Sequence, residues 1–468
     1  MIDAVLQWAN YLVLGYFVVL NSGYILMSAV TIRSLVRYRH LLRTYDPDHA
    51  LSAETLPPIT LIAPAYNEEA TCVESTRAFL SIDYPNADIL VVNDGSTDQT
   101  LERLIEAFDL VPTARAPTAD LSTEKVRTIY QSRVHPSLWV IDKENGGKAD
   151  ALNVGICYCN TPLFCAMDAD TIVEREGLIR MVRPFLEDQS TVAVGGIVRV
   201  ANGCTVQSGR VRDVALPRSW LPKLQVLEYL RAFFFGRVAW DALGSMLIIS
   251  GAFGLFRRET VVEAGGYATD TVGEDMELVV RMHRRLREAG RDYRVRFLPD
   301  PVAWTEVPST LRVLRSQRNR WQRGLAETMV RHQRMLCNPR YGVVGLVAYP
   351  FFYFLETFGP VIEALGYVLF VVALLKGALS LPFTIAFFLV AFGVGMVLSL
   401  TAVVLEELSF RRYRRTGDLL QLFGLPIVEA FGYRPLNAWW RMRGLWSYFR
   451  SEKGWGVMER VGFSPSET

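Results

Sequence analysis

The sequence predicts an α/β domain built on parallel strands and carried by membrane-crossing helices. Three observations predict it. Short apolar runs alternate with amphipathic helical stretches through the middle of the chain, near-uncharged apolar segments stand towards both ends, and those end segments run into clusters of arginine. Half of the 468 residues are apolar while 21% are charged, and the mean hydropathy is +0.18. Such values fit a chain that is part soluble and part membrane-embedded.

From Trp8 to Ile32 the chain is almost uncharged, long enough at ~1.5 Å per residue to cross a hydrocarbon core of ~30 Å. Arg33, Arg37, Arg39, His40 and Arg43 follow, which by the positive-inside rule puts the next domain in the cytoplasm. Met1 to Gln7 carries no positive charge beyond the amino terminus, and no small-residue cleavage site follows cleanly. Residues 1–45 therefore read as an anchor with a basic flank rather than a cleaved signal peptide.

Residues 55–340 read as one large α/β domain. Ile59–Ala63, Ile89–Val92 and Leu163–Met167 are compact apolar runs closed by polar or turn residues. Buried parallel strands have this character, and the residues after them fall at the carboxyl ends where open α/β sheets place ligands. Pro112–Thr123, rich in Pro, Ala and Thr, reads as a surface loop. In residues 341–410 the apolar segments Val343–Leu375 and Leu381–Leu405 predict two spans. Because Pro350 and Pro360 interrupt the first, an interfacial helix plus two spans is the other arrangement. Arg411, Arg412, Arg414 and Arg415 mark a cytoplasmic return at the start of residues 411–468. There Leu419–Trp440, interrupted by Pro426, Gly432, Arg434 and Pro435 and followed by Arg441, Arg443, Arg450 and Lys453, predicts a broken hairpin that returns inside.

The 50 basic and 48 acidic residues nearly balance, so no nucleic-acid surface built on bulk positive charge is expected. Six cysteines without paired spacings or a neighbouring histidine cluster read as reduced thiols of a cytosolic domain.

Chemistry concentrates in six short strings. Pro64-Ala65-Tyr66-Asn67-Glu68 closes the first strand and Asn93-Asp94-Gly95-Ser96 the second. An aromatic ring and two carboxylates at adjacent strand ends can stack a base and hydrogen-bond its imide and ribose, although Asn-Asp-Gly-Ser is also an ordinary turn. Asn145 to Asn153 is a glycine turn opening a helix, with Lys148 able to reach a diphosphate or simply to stand in water. It is not a P-loop, because the GxxxxGK[ST] spacing is absent. Asp168-Ala169-Asp170 sends two carboxylates off one strand end. Their hard oxygens suit Mg²⁺ or Mn²⁺ shared with substrate phosphates; a solvated loop is the alternative.

Gly273-Glu274-Asp275 opens a helix continuing through Met276–Arg287. The positive helix end favours the carboxylate of Asp275, the form a general base needs to take a hydroxyl proton; an acid that merely caps the helix would look the same. Finally, Gln317, Arg320 and Trp321 fall on one helical face by their i, i+3, i+4 spacing. They offer a ring to stack on a sugar and a guanidinium for a phosphate. A basic amphipathic helix lying on a membrane is a compatible reading.

As an ordered set these strings resemble the processive membrane glycosyltransferases of family 2, among them cellulose synthase, hyaluronan synthase, chitin-oligosaccharide synthases and poly-β-1,6-N-acetylglucosamine synthase. The resemblance covers Ile59 to Gly324 as motifs and the flanking membrane segments as architecture. It implies an α/β GT-A (Rossmann-like) cytoplasmic domain plus α-helical transmembrane segments, in the inner (plasma) membrane. It also implies a UDP-sugar donor, a growing polysaccharide as acceptor, and Mg²⁺ or Mn²⁺. By the same resemblance, Pro64, Tyr66, Glu68 and Asp94 belong to the uridine site and Lys148 to the diphosphate. Asp168 contacts donor and metal, and Asp170 ligates the metal. Asp275, with Glu274 beside it, is the catalytic base. Gln317, Arg320 and Trp321 hold acceptor sugar and donor phosphate, and Ser250-Gly251-Ala252-Phe253 lines the acceptor site. Gly273 stands where some members carry Thr. No cyclic-dinucleotide-binding domain of the cellulose-synthase kind is recognised after the membrane segments, so such control is not expected.

The implied reaction is one inverting displacement giving a β-linkage, with no enzyme nucleophile in the set. Two rival readings are transfer of a single sugar to a lipid acceptor and a non-catalytic polysaccharide-binding scaffold. Simple lipid-phosphate sugar transferases generally lack the Gln317-x-x-Arg320-Trp321 motif, and a decayed scaffold has no need of all these acids. Glu356 and Glu363, seven residues apart in an apolar run, are expected on one helical face bordering a polymer exit route.

Overall fold

The computed structural model describes residues 2–44, 56–207, 210–413 and 415–450; Arg414 and the basic tail with Lys453 lie outside them. Two compact units emerge. One, from His40–Asp213 and Gly244–Glu306, is the α/β unit. The other joins Met1–Arg39 to Val214–Leu243 and Val307–Glu459. The expected single block over 55–340 is thus divided. Val214–Leu243 and the helix Leu311–Arg331 join the helical unit because their buried polar groups find partners there, as where Gln225 Nε2 donates to the Pro308 carbonyl at 2.7 Å.

The strands of the α/β unit are β1 (Ile59–Ala65), β2 (Ala87–Asn93), β3 (Leu110–Thr113), β4 (Val126–Ser132), β5 (Leu138–Lys143), β6 (Leu163–Met167), β7 (Ile172–Val173), β8 (Thr191–Val200), β9 (Thr205–Gln207), β10 (Arg210–Asp213), β11 (Phe253–Arg257) and β12 (Arg294–Thr305). Ten of them form one sheet in the order β3-β4-β5-β2-β1-β6-β11-β8-β12-β7, and β9 and β10 make a separate ribbon. The run β5-β2-β1-β6 is parallel, as the three apolar runs predict. Their side chains, among them Leu61, Ile62, Leu90, Val92 and Phe164, are buried. Because β2 lies on one side of β1 and β6 on the other, strand order reverses at β1. The crevice outside the carboxyl ends of β1 and β6 is then where such a sheet takes a ligand.

Pro64 tolerates a central strand because β1 pairs with β6 only as far as Ile62↔Ala166, so its missing N–H falls beyond that ladder. The helix Lys148–Cys157 is buried from Ala149 onward. It lies close on the sheet at Gly155, where any Cβ would overlap Ile62. Pro112 and Thr113, expected in a loop, instead end β3, an edge strand of the sheet, where a residue without an N–H is admissible; residues 114–125 carry no helix or strand.

In the helical unit, Ile2–Thr44 is one helix. Among the described residues, two helical runs are long and apolar enough to cross a membrane, Leu6–His40 and Leu381–Ser409, and Val344–Thr357 with Gly359–Leu375 makes a third if that pair, bent by 40°, is one span. Val13 and Phe17 of the first pack on Phe370, Phe387 and Phe392. The bend follows the Pro350 and Pro360 interruption seen in the sequence. Glu356 lies in a π-helical turn before the break at Phe358 and Glu363 in the helix after it. Across that break both still face the N-terminal helix, where Tyr24 Oη donates to Glu356 at 2.6 Å and Tyr16 Oη to Glu363 at 3.1 Å.

The broken hairpin expected in Leu419–Trp440 is not formed. Thr416–Val428, a π-helical turn at Glu429–Tyr433 and Arg434–Phe449 follow one another without a break. Pro426 and Pro435 remove N–H donors, and the wider turn between them absorbs the misfit without reversing the chain. Glu429 in that turn is fully buried; it accepts from Arg231 at 2.5 Å and from Ser399 at 2.8 Å.

Candidate active site

The residues singled out at the strand ends meet at the switch point. After β1, Tyr66 is 49% exposed, an open ring beside Pro64 and Glu68. Asn67 adopts φ 53°, a left-handed conformation that Asn tolerates. It is held there by its own amide, which accepts from the Thr97 N–H at 2.8 Å, while its N–H donates to Ser96 Oγ at 3.0 Å. The Glu68 N–H donates to Thr100 Oγ1 at 2.9 Å, and its carboxylate accepts from Thr71 Oγ1 at 2.8 Å. The loops after β1 and β2 are thereby stitched into one rim.

Asp94, expected at the uridine, is only 3% exposed and committed to the glycine turn. Its carboxylate accepts from the N–H groups of Gly146 at 3.0 Å and Gly147 at 2.7 Å, and from Lys143 Nζ at 2.5 Å. Asn145 Nδ2 donates to its carbonyl at 2.8 Å. The turn so held ends in Gly147 at φ 86° and starts the helix Lys148–Cys157, as the string Asn145 to Asn153 predicts. Lys143 was not singled out in the sequence, where it is one more charge in Asp142-Lys143-Glu144. It is fully buried and bridges Asp94 to Asp150, the latter at 2.7 Å.

The densest cluster joins three of the strings. Lys148 Nζ lies 2.5 Å from Asp168 Oδ1 and 3.9 Å from Glu274 Oε1, and donates to the Gly251 carbonyl at 3.4 Å. The Gly251 N–H donates to Asp275 Oδ2 at 3.0 Å, and Asp275 Oδ1 accepts from the Met276 N–H at 2.8 Å, at the start of the helix Glu274–Glu288. The N–H and the carbonyl of one residue, Gly251, therefore link Lys148 and Asp275, a role of backbone atoms that no sequence pattern signals. Burial by itself would lower the Lys148 pKa, but Asp168 first, then Glu274 and Asp275, outweigh it and hold the ammonium above its ordinary value. A small cavity here is lined by Lys148, Ser250, Gly251, Tyr267, Glu274 and Asp275. Burial, followed by the charges of Asp275 and Glu274, drives the Tyr267 phenol well above its ordinary value, so it stays a neutral hydroxyl.

Asp168 and Asp170 leave β6 half-buried, and no group of three or more His, Cys, Asp or Glu that could hold a metal occurs among the described residues. Two hard carboxylates, beside a cluster whose acids outnumber its single lysine, fit a divalent cation that takes its remaining ligands from water and phosphate. They do not form a closed protein cage.

Gln317, Arg320 and Trp321 belong to the helical unit, on Leu311–Arg331. Gln317 is 7% exposed, and its Oε1 has no hydrogen-bond partner among the described residues; Trp321 is 41% exposed. Arg318, unremarked in sequence between them, is the buried brace of this helix. It donates to Glu228 at 2.6 Å and to Tyr433 Oη at 3.2 Å, with its guanidinium 4.3 Å from the Trp321 ring centre.

Three comparisons bear on this arrangement. A poly-β-1,6-N-acetyl-D-glucosamine synthase of Staphylococcus aureus (strain COL) is 28% identical over 70% of this chain and 67% of its own. The Staphylococcus epidermidis protein of the same description is 27% identical over 58% of this chain and 56% of its own. Among solved structures, a mannosyltransferase from Pyrobaculum calidifontis in complex with GDP-Man and Mn²⁺ superposes with a TM-score of 0.50 at 20% identity, covering 90% of this chain and 99% of its own; it supports the GT-A fold alone. The family model described as glycosyltransferase like family 2 matches residues 57–324, more than half of the chain and every strand of the switch-point crevice, and the chain belongs to that family.

Proposed function

We propose that this chain elongates a β-linked polysaccharide from a UDP-sugar by an inverting displacement at the cluster around Lys148 and Asp275, and passes the product across the inner (plasma) membrane, with its α/β unit in the cytoplasm. The observation that carries the reading is the backbone of Gly251, through its N–H and its carbonyl. It holds a carboxylate suited to take a proton and a lysine suited to meet a diphosphate on either side of one cavity.

In this mechanism Tyr66, Pro64 and Glu68 bind the nucleoside at the open rim. Asp94 places the Gly146-Gly147 turn, and Lys148 meets the leaving diphosphate. Asp168 and Asp170 would hold a divalent cation, Mg²⁺ or Mn²⁺, which when bound offsets the charge that grows on the departing UDP. Asp275, with Glu274 beside it, takes the proton of the acceptor hydroxyl. That oxygen attacks the anomeric carbon, the bond to the diphosphate breaks, and the configuration inverts. Gln317, Arg320 and Trp321 are read as the acceptor-holding set. A buried amide oxygen without a donor costs about 1–3 kcal/mol, which a sugar hydroxyl bonded to Gln317 would recover. The synthase activity named for the staphylococcal relatives supports the polymerising reading over transfer of one sugar to a lipid.

The test is polymer formation and UDP release by the purified full chain from a panel of radiolabelled UDP-sugars with Mg²⁺ or Mn²⁺. Release without polymer on a gel would point to single-sugar transfer, and no release from any UDP-sugar would remove the reading.

A further inference from the structure

Lys148 and the two carboxylates after β6 pose a conflict. Asp168 is read as a ligand of the cation, yet its Oδ1 lies 2.5 Å from Lys148 Nζ, and an oxygen so engaged with an ammonium is screened from a second positive charge. The two partners differ in freedom. Asp168 is pinned at the sheet edge, where its N–H donates to the Ala252 carbonyl at 3.3 Å and its carbonyl accepts from the Thr171 N–H at 3.1 Å. Lys148 stands on the first turn of its helix with a four-carbon stem, and its side chain is 20% exposed. Its remaining close neighbours are the Gly251 carbonyl at 3.4 Å and Glu274 at 3.9 Å, both longer than the contact with Asp168. A nucleoside diphosphate carries more negative charge than one carboxylate and would draw the flexible ammonium to itself.

The geometry points to a gate: in the donor-free protein Lys148 occupies Asp168, and a donor diphosphate that draws the ammonium away releases that carboxylate, so the divalent cation binds with the donor and not before it. The gate rests on the proposed reading that donor diphosphate and cation meet at this cluster. It adds an order of binding that keeps the two acids from recruiting free cations when no sugar nucleotide is present. It also makes donor and cation binding mutually favourable, as linkage requires.

The test is Mn²⁺ binding to the full chain in lipid nanodiscs, followed by the electron paramagnetic resonance of free Mn²⁺, with and without UDP. Wild-type protein is expected to bind Mn²⁺ weakly alone and tightly with UDP. Lys148→Met is expected to tighten Mn²⁺ binding in the absence of UDP by about tenfold and to shrink the gain that UDP gives. Lys148→Gln, which keeps a polar side chain at this partly exposed position, should act in the same direction if Met perturbs folding. The tightening caused by Lys148→Met should vanish in an Asp168→Asn background, because the carboxylate being released is then absent. Mn²⁺ affinity of both lysine variants within a factor of two of wild type would overturn the gate, and so would a tightening by Lys148→Met that persists with Asp168→Asn. If UDP leaves wild-type Mn²⁺ binding unchanged and Asp170→Ala does not weaken it, the metal reading itself fails and the gate falls with it. The two failures are thus distinguishable.

Discussion

Replacing Asp275 by Asn removes the proposed base while changing one atom. A positioned general base contributes about 10²–10⁴ in rate, which at about 1.4 kcal/mol per decade is about 3–5.5 kcal/mol of barrier. The structure adds a second effect. Both carboxylate oxygens of Asp275 are acceptors, Oδ1 for the Met276 N–H at 2.8 Å and Oδ2 for the Gly251 N–H at 3.0 Å. An amide supplies one oxygen, so one of these N–H groups would face an NH₂. Losing such a bond to a charged group is worth about 1.5–3 kcal/mol, spent on the local order of the Gly251 turn. Tyr66 and Glu68 make none of these contacts, and Lys148 keeps Asp168, so donor binding is expected to weaken by less than about tenfold. Turnover followed by UDP release, beside UDP binding by calorimetry on the same full chain, reads the two quantities separately. Turnover within about tenfold of wild type would refute Asp275 as the base. A loss of UDP affinity in step with turnover would show that it acts by holding the donor site together.

Other outcomes follow from the same geometry. Lys143→Met removes the cation between the buried carboxylates of Asp94 and Asp150 and leaves them only their N–H donors, and breaking a buried pair in this way costs about 3–5 kcal/mol. A clear fall in melting temperature is expected, partly restored by Lys143→Arg, and an unchanged melting curve would contradict the bridge. His283 is buried between Tyr293 Oη at 2.7 Å and the Met246 carbonyl at 2.9 Å, and burial lowers its pKa from 6.5 to about 4. Between those values the unfolded chain binds a proton that the folded one refuses. Stability present above pH 6.5 is therefore lost as pH falls towards 4, by about 3 kcal/mol, and His283→Gln should flatten that part of the pH–stability profile. For the exit route, Glu363→Leu alone is the informative change. It frees one Tyr16 hydroxyl at 3.1 Å, whereas loss of Glu356 would also strand Arg441, paired with it at 2.9 Å. Product of normal length from Glu363→Leu would place the route elsewhere.

What the sequence by itself determined is what local pattern encodes. The apolar run Leu163–Met167 became β6 at those same bounds, because five consecutive apolar residues closed by acids suit a strand covered on both faces. Gly147, at φ 86°, lets the chain turn into the helix that carries Lys148, and the helix that carries Asp275 begins directly after Gly273. The apolar lengths and prolines marked the membrane segments and the bend between Thr357 and Gly359. Only the tertiary structure decided which charges are buried and what they hold. Lys143 and Arg318 read like any other basic residues in their strings. They are buried because β5 pairs beside β2 and because Tyr433 lies against the helix of Arg318. Asp94 reads in sequence as a polar residue at a strand end, and the fold makes it a clamp on a turn 51 to 53 residues further along the chain. The link from Lys148 to Asp275 runs through the N–H and carbonyl of Gly251, atoms that every residue possesses. A pairing between distant residues, or one made by backbone alone, leaves no periodicity in the chain, so only the folded arrangement discloses it.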